Sequence, residues 1–288
     1  MRERKIAGAP ISWGVCEVPD WGMQLSSERV LADAQRLGFR AMEAGPPGFL
    51  PGDAAAAARV LDAHGLRCIG GFVAAMLHDV ARRDAELASV AQQAAWLHAA
   101  GAELLVLAAA TGRDGYEERT ELTEAQWATL FETLPLVERI AATQQLTVVV
   151  HPHVGTAIEQ TGDIERLLAG SHVRLCLDTG HVFVGGGDPA AIARLAGDRV
   201  RHVHLKDADA TLSAAVRNGR LSYAAAVQQG LYRPLGDGDA GISDVLTELR
   251  AAGYSGWYVL EQDVALKDAT ADPLPAIERS LTFVSARV

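Results

Sequence analysis

The chain has 288 residues, with 26 Lys and Arg against 36 Asp and Glu, a formal net charge of −10 and 49% hydrophobic residues. That balance offers no basic footprint for nucleic acid or an acidic membrane surface, and it leaves neutral or cationic small molecules as the easier partners. The cysteines Cys16, Cys68 and Cys176 are widely spaced and form no CxxC pair, which suits a reducing cytosol better than a disulfide framework.

The opening MRERKIAGAPISWG has no long apolar run, and no later segment approaches about 18 uninterrupted apolar residues. A cytoplasmic protein without secretion signal or membrane anchor is expected. Short β-like runs then alternate with helix-like segments. KIAGAPIS precedes a helix over 26–37 with a serine cap. FRAMEAG precedes an Ala-rich helix over 53–64, RCIGGFV precedes 81–100, ELLVLAA precedes 124–143, and LTVVVHP precedes 163–168. VRLCLD precedes 189–195, VRHVHL precedes 243–252, and WYVLE precedes 273–285. Gly38, Gly65, Gly101 and Gly253 follow helical segments as C-caps should. Eight β/α cycles without a linker predict one α/β domain over 1–288, a (β/α)8 TIM barrel with a long loop after the seventh strand. A doubly wound open sheet is the rival architecture.

That long loop, residues 207–241, carries Arg217, Arg220, Tyr223, Tyr232 and Arg233 before the Gly-rich PLGDGDAGIS. Excursions of this length are usually lids or binding segments; an oligomer contact, and hence a homo-oligomer, or a small surface helical excursion is the alternative. Residues 111–123 are charged and contain glycine, and read as a solvated loop.

Side chains at the carboxyl ends of barrel strands converge on one mouth. Four segments place metal-binding residue types there: RLCLDTGH with Asp178 and His181, RHVHLKD with His204, WYVLEQD with Glu261, and HPHVGTAIE with His151, His153 and Glu159. Asp178 could be a helix cap, His204 a core histidine and Glu261 half of a salt bridge. Their shared position favours a mononuclear divalent-metal site. Glu159 as the fourth ligand gives three oxygens and one nitrogen, a set suited to Mn²⁺, Co²⁺ or Mg²⁺, whereas His151 would shift the preference toward Zn²⁺. Glu159 is the preferred ligand, leaving His151 and His153 to orient the site or contact substrate. Lys206, between His204 and Asp207, is either a proton-transfer group or a structural ion-pair partner.

The segments WGVCEVPDWG, GFRAMEAGPPGFLP, HPHVGTAIEQT, LCLDTGHVFVGGGDP and HVHLKD resemble those of inosose dehydratases within the xylose-isomerase-like TIM-barrel superfamily, over nearly the whole chain. The resemblance implies a divalent metal, a polyhydroxy-ketone substrate and enolate chemistry. It implies metal ligands at Asp178, His204 and Glu261. Many members have a Glu at the end of the fifth strand, where this chain has His151, while relatives with His-x-His and a Glu a few residues later support Glu159. Glu43 matches a carboxylate near the substrate, and Trp13 and Trp21 would flank the mouth.

On this basis a keto-inositol is expected to lose water after α-proton abstraction, with His153, His181, Glu43 and Lys206 as the proton-transfer groups and Trp13, His151 and Arg233 contacting substrate. An isomerase or epimerase of keto sugars would share the metal and the enediolate but would reprotonate carbon. An apurinic endonuclease would need several metals and a basic surface, which the acidic composition disfavours. A polyol-binding protein without turnover is the remaining class.

Overall fold

The computed structural model describes residues 5–268 and 270–288, so residues 1–4 and 269 of the expected domain lie outside the described residues. Eight parallel strands close into a barrel in the order β1 (Ile6–Gly8), β10 (Tyr258–Leu260), β7 (Val200–Leu205), β6 (Arg174–Asp178), β5 (Thr147–Val150), β4 (Leu104–Ala109), β3 (Arg67–Ala75) and β2 (Ala41–Glu43). The closed order excludes the open-sheet rival. Outer helices span Ser27–Leu37, Ala54–Ala63, Arg83–Ala99, Glu124–Thr143, Thr161–Gly170, Pro189–Ala196, Ile242–Ala251 and Leu274–Ser285. These match the expected segments within a few residues at their ends.

Local chemistry explains the helix starts. Ser26 and Asp53 accept the backbone N–H three residues on, and Thr123 forms a reciprocal capping box with Gln126. Apolar strand residues then pack between barrel and helices: Leu105 and Leu107 of β4, Val150 of β5, and Leu175 and Leu177 of β6 share one buried cluster with helix residues such as Leu31, Leu134 and Leu246. The strands are covered on both faces, so they read as near-continuous apolar runs. Their carboxyl ends are therefore buried too, and polar side chains there must find partners in place. Among the described residues no helix is long and apolar enough to cross a membrane.

The stretch after β7 is folded. β8 (Asp207–Ala208) pairs antiparallel with β9 (Tyr232–Arg233), and two short helices, Ala210–Arg217 and Tyr223–Gln228, lie between them. Buried residues of this stretch, Tyr223, Ala226, Val227, Leu231 and Tyr232, pack with Trp21, Val154 and Val184 in a second cluster. Asp207 fastens the excursion: its buried carboxylate accepts the backbone N–H groups of Ala208, Gly236, Gly238 and Ala240 at 2.8–3.1 Å.

A carboxylate that takes this many main-chain donors is costly to remove, because each charge-assisted bond contributes and every orphaned N–H adds a penalty. Asp207→Ala is expected to destabilise the protein by about 3 kcal/mol in denaturant titration. It should also open residues 207–241 to protease before the barrel itself.

Candidate active site

β6 and β7 lie in a register that sets Asp178 beside His204, and Glu261 follows the end of β10, the other neighbour of β7. Strand spacing near 4.8 Å then brings three side chains together without any help from loops. Donor atoms of Asp178, His204 and Glu261 all lie within 4.8 Å of one another, and all three residues are buried. Asp178 is also a helix cap: one oxygen accepts the His181 backbone N–H at 2.8 Å, opening the short helix Thr179–Val184, while the other faces the cluster. Capping and ligation are compatible because they use different oxygens.

His151, following β5, joins this group. Its Nε2 lies 3.1 Å from His204 Nδ1 and 3.3 Å from Asp178 Oδ2. Glu159 does not join it. After His153 the chain turns through Gly155, which has φ +73°, and Glu159 Oε2 accepts the Gly155 backbone N–H at 2.8 Å. The Glu159 carboxylate thus braces its own turn, with Arg119 and Asp163 as its charged neighbours. Glu159, expected to complete the donor set, thus lies apart from it, and His151 stands beside Asp178 and His204 instead.

Glu43 lies one step further in. Its Oε1 accepts from His204 Nε2 at 2.8 Å and from His202 Nε2 at 2.6 Å. With one His204 proton committed there, Nδ1 faces Asp178, Glu261 and His151, and would offer a lone pair to an ion held among them in exchange for its own proton. Burial opposes ionisation of Glu43, yet the two imidazoles hold its pKa well below the usual carboxylate range. Burial likewise works against an imidazolium at His204, but the surrounding acids keep its pKa well above the ordinary value. A pocket whose field favours an imidazolium also favours a divalent cation. Two carboxylates and two imidazole nitrogens fit such an ion, with borderline metals such as Zn²⁺, Co²⁺ or Mn²⁺ suited better than Mg²⁺.

His151, His204 and Glu261 of this cluster line a cavity of about 320 Å³, together with Trp21, Glu43, Phe72, Tyr116, His153 and Tyr223. His153 Nδ1 donates to the Val154 carbonyl at 2.7 Å, so its Nε2 carries the lone pair. Its ring stacks on His181 at 3.7 Å between centroids. Burial, reinforced by neighbouring cationic groups, holds both imidazoles well below their ordinary pKa, so both are neutral. Lys206 points into the same space, 2.8 Å from Asp263, 3.1 Å from Glu261 and 3.3 Å from Asp178. Burial opposes its charge, but these three carboxylates raise its pKa well above that of an ordinary lysine. Gly180 is needed here, because a Cβ would fall 2.7 Å from Lys206 Cγ.

Other expectations are corrected. Trp13 is fully buried in the barrel packing against Phe39 and does not line the cavity, because the turn Pro10–Trp13 swings its indole inward; Trp21 lines the cavity instead. Arg233 pairs with Asp209 at 3.0 Å at the margin of the excursion, and Arg217 donates to the carbonyls of Phe183 and Val184. Arg217 and Arg233 thus brace the excursion, and its tyrosines reach the site. Nor is 111–123 merely a solvated loop. Tyr116 packs against His153 with ring centroids 4.3 Å apart and hydrogen-bonds Glu17, while Glu117 accepts the backbone N–H groups of Tyr223 and Ala224. Gly155 permits this approach, since a Cβ there would meet the Tyr116 backbone at 2.4 Å. Asp263, two residues beyond Glu261, is a buried cavity residue that the sequence analysis did not single out.

Zinc titration of the full chain tests the donor set. His151→Ala is expected to weaken binding at least about 10-fold, and Glu43→Gln by about 10- to 100-fold, through the loosened His204. Glu159→Gln should leave affinity within about 2-fold, a change too small to reflect a lost ligand.

The model of the xylose isomerase-like TIM-barrel family matches residues 31–285. Rhizopine catabolism protein MocC of Rhizobium meliloti is 34% identical over 270 residues, covering 90% of this chain and 81% of that protein. The inosose dehydratase of Geobacillus thermodenitrificans is 30% identical over 274 residues, covering 91% of each. Among solved structures, the IolI protein with a bound zinc atom has a TM-score of 0.72 at 13% identity, covering 99% of each chain, a likeness of fold. Model and relatives both run almost the whole length of the sequence: the chain belongs to the inosose dehydratase family of xylose isomerase-like TIM barrels.

Proposed function

We propose that the protein is a divalent-metal-dependent hydro-lyase that removes water from a keto-inositol. The observation that carries this reading is the convergence of His151, Asp178, His204 and Glu261 beneath a cavity that also presents one lone-pair imidazole, His153, and one ammonium, Lys206. The inosose dehydratases among the relatives support the substrate class, and the zinc in the IolI structure supports the metal.

An ion held by these donors would polarise the substrate ketone and stabilise the negative charge that develops on its oxygen. The side chains supply the rest. His153 has its Nδ1 proton committed to a backbone carbonyl, so Nε2 is free to take the α-proton. Lys206, an ammonium with donors only, is suited to protonate the departing β-hydroxyl. Trp21, Tyr116 and Tyr223 line the upper part of a cavity large enough for a six-membered polyol, and their rings limit water around the reacting carbons. Glu43, offered by the sequence as a proton-transfer group, is given a different role here, that of orienting His204.

Incubation of the metal-loaded enzyme with keto-inositols is expected to produce an enone absorbance, and chelation should abolish it until Mn²⁺, Co²⁺ or Zn²⁺ is restored. His153→Ala should slow turnover by about 10²- to 10⁴-fold with unchanged metal content. Epimerised or isomerised ketose, with no enone from any keto-inositol, would replace the dehydratase reading with the isomerase one. Full activity in metal-stripped protein would contradict the metal requirement.

A further inference from the structure

Five buried side chains beside the cavity close a ring through four hydrogen bonds and one ion pair. Lys206 Nζ lies 2.8 Å from Asp263 Oδ1 and 3.0 Å from His181 Nε2. His181 Nδ1 lies 3.3 Å from the Tyr232 hydroxyl, which is 3.1 Å from the Tyr223 hydroxyl. Tyr223 closes the ring by donating to Asp263 Oδ2 at 2.8 Å. Its members come from four places in the fold: the helix after β6, the end of β7, the excursion and the segment after β10.

The proton positions follow from donor counting. An ammonium only donates, so His181 Nε2 must accept from Lys206. A neutral imidazole has one N–H, which then lies on Nδ1 and donates to Tyr232. Tyr232 passes its own hydrogen to Tyr223, and Tyr223 gives its hydrogen to the carboxylate. Donation thus runs from Lys206 through His181 and both tyrosines to Asp263, and the direct approach of Lys206 Nζ to Asp263 Oδ1 is an ion pair. The Val154 backbone N–H, 3.4 Å from His181 Nδ1, favours the opposite tautomer. That tautomer would set an N–H against the ammonium at 3.0 Å, and the charged partner at the shorter distance decides.

We propose that Asp263, Tyr223 and Tyr232 are positioning residues for the dehydration, holding Lys206 aimed into the cavity and His181 as its Nδ1–H tautomer. This rests on the dehydratase reading for its chemical purpose and on the ring alone for its geometry. Asp178 and Glu261 also lie near Lys206 Nζ, at 3.3 and 3.1 Å, and compete for it. The shorter contact to Asp263 and the bond to His181 draw the ammonium away from the ion's donors and toward substrate. Residues 207–241 thereby contribute more than a cover, since both tyrosines of the ring belong to them.

The test uses the full chain and its Tyr223→Phe, Tyr232→Phe and Asp263→Asn variants, each retaining side-chain size. Two-bond ¹H–¹⁵N spectra of the zinc-loaded protein, with the His181 signal identified by its loss in His181→Asn, read the tautomer without any substrate. The wild type is expected to carry the proton on Nδ1, and Tyr232→Phe to shift the balance toward Nε2–H. A wild-type proton on Nε2, or a balance unchanged in Tyr232→Phe, overturns the ring. With a keto-inositol in D₂O, the variants are expected to lose water about 100-fold more slowly while retaining solvent exchange at the α-carbon within about 3-fold of wild type, as expected when proton abstraction by His153 is spared. Equal slowing of both steps, or variants as fast as wild type, overturns the positioning role. Neither exchange nor water loss in the wild type would instead be failure of the dehydratase reading, and the tautomer result would still judge the ring.

Discussion

Everything at the mouth of this barrel follows from the need to compensate buried carboxylates. Glu43, Asp178, Glu261 and Asp263 are each under a tenth exposed, and each lies within 4 Å of His204 or Lys206. Uncompensated acids in such surroundings would protonate or unfold the site. The fold satisfies them one at a time. Glu43 takes two imidazole N–H groups, Asp178 a backbone N–H, Asp263 a tyrosine hydroxyl and an ammonium, and Glu261 the company of His204 and Lys206. Lys206 alone contacts three of the four acids, so the negative charge still outweighs the fixed positive charge around it. A divalent cation is the natural complement.

The same compensation divides the work among neighbouring histidines. His202 and His204 stand two residues apart on β7, and both reach Glu43, yet only His204 turns its second nitrogen toward Asp178 and Glu261. His151 and His153 are likewise two residues apart. One reaches the donor cluster and the other reaches the backbone and the cavity. Proton assignment therefore comes from the fixed partners of each ring, and chemically identical side chains acquire distinct duties.

Strand-end logic made much of this legible in the sequence. Asp178, His204 and Glu261 follow short apolar runs, and alternate barrel closure brings such residues together whatever the loops do. Glu159 lies apart from the cluster because its position depends on a turn. Gly155 reverses the chain, and the carboxylate four residues on accepts its backbone N–H. Trp13, Arg233, Tyr116 and Asp263 show the same limit: packing of irregular segments against one another decides whether such a side chain faces the core, solvent or substrate, and periodicity carries no record of it. The excursion after β7 was visible by its length, but the reach of Tyr223 and Tyr232 into the site depends on the Asp207 anchor and on Glu117 from a different loop.

The central claim is that His151, rather than Glu159, completes a four-residue donor set with Asp178, His204 and Glu261. A crystal structure of the full chain soaked with Zn²⁺, with anomalous data collected at the zinc edge, tests it most directly. The account predicts one strong peak about 2.0–2.2 Å from a donor atom of each of these four residues, with Glu159 still bound to the Gly155 N–H. A peak coordinated by Glu159, or one that excludes His151, would contradict it.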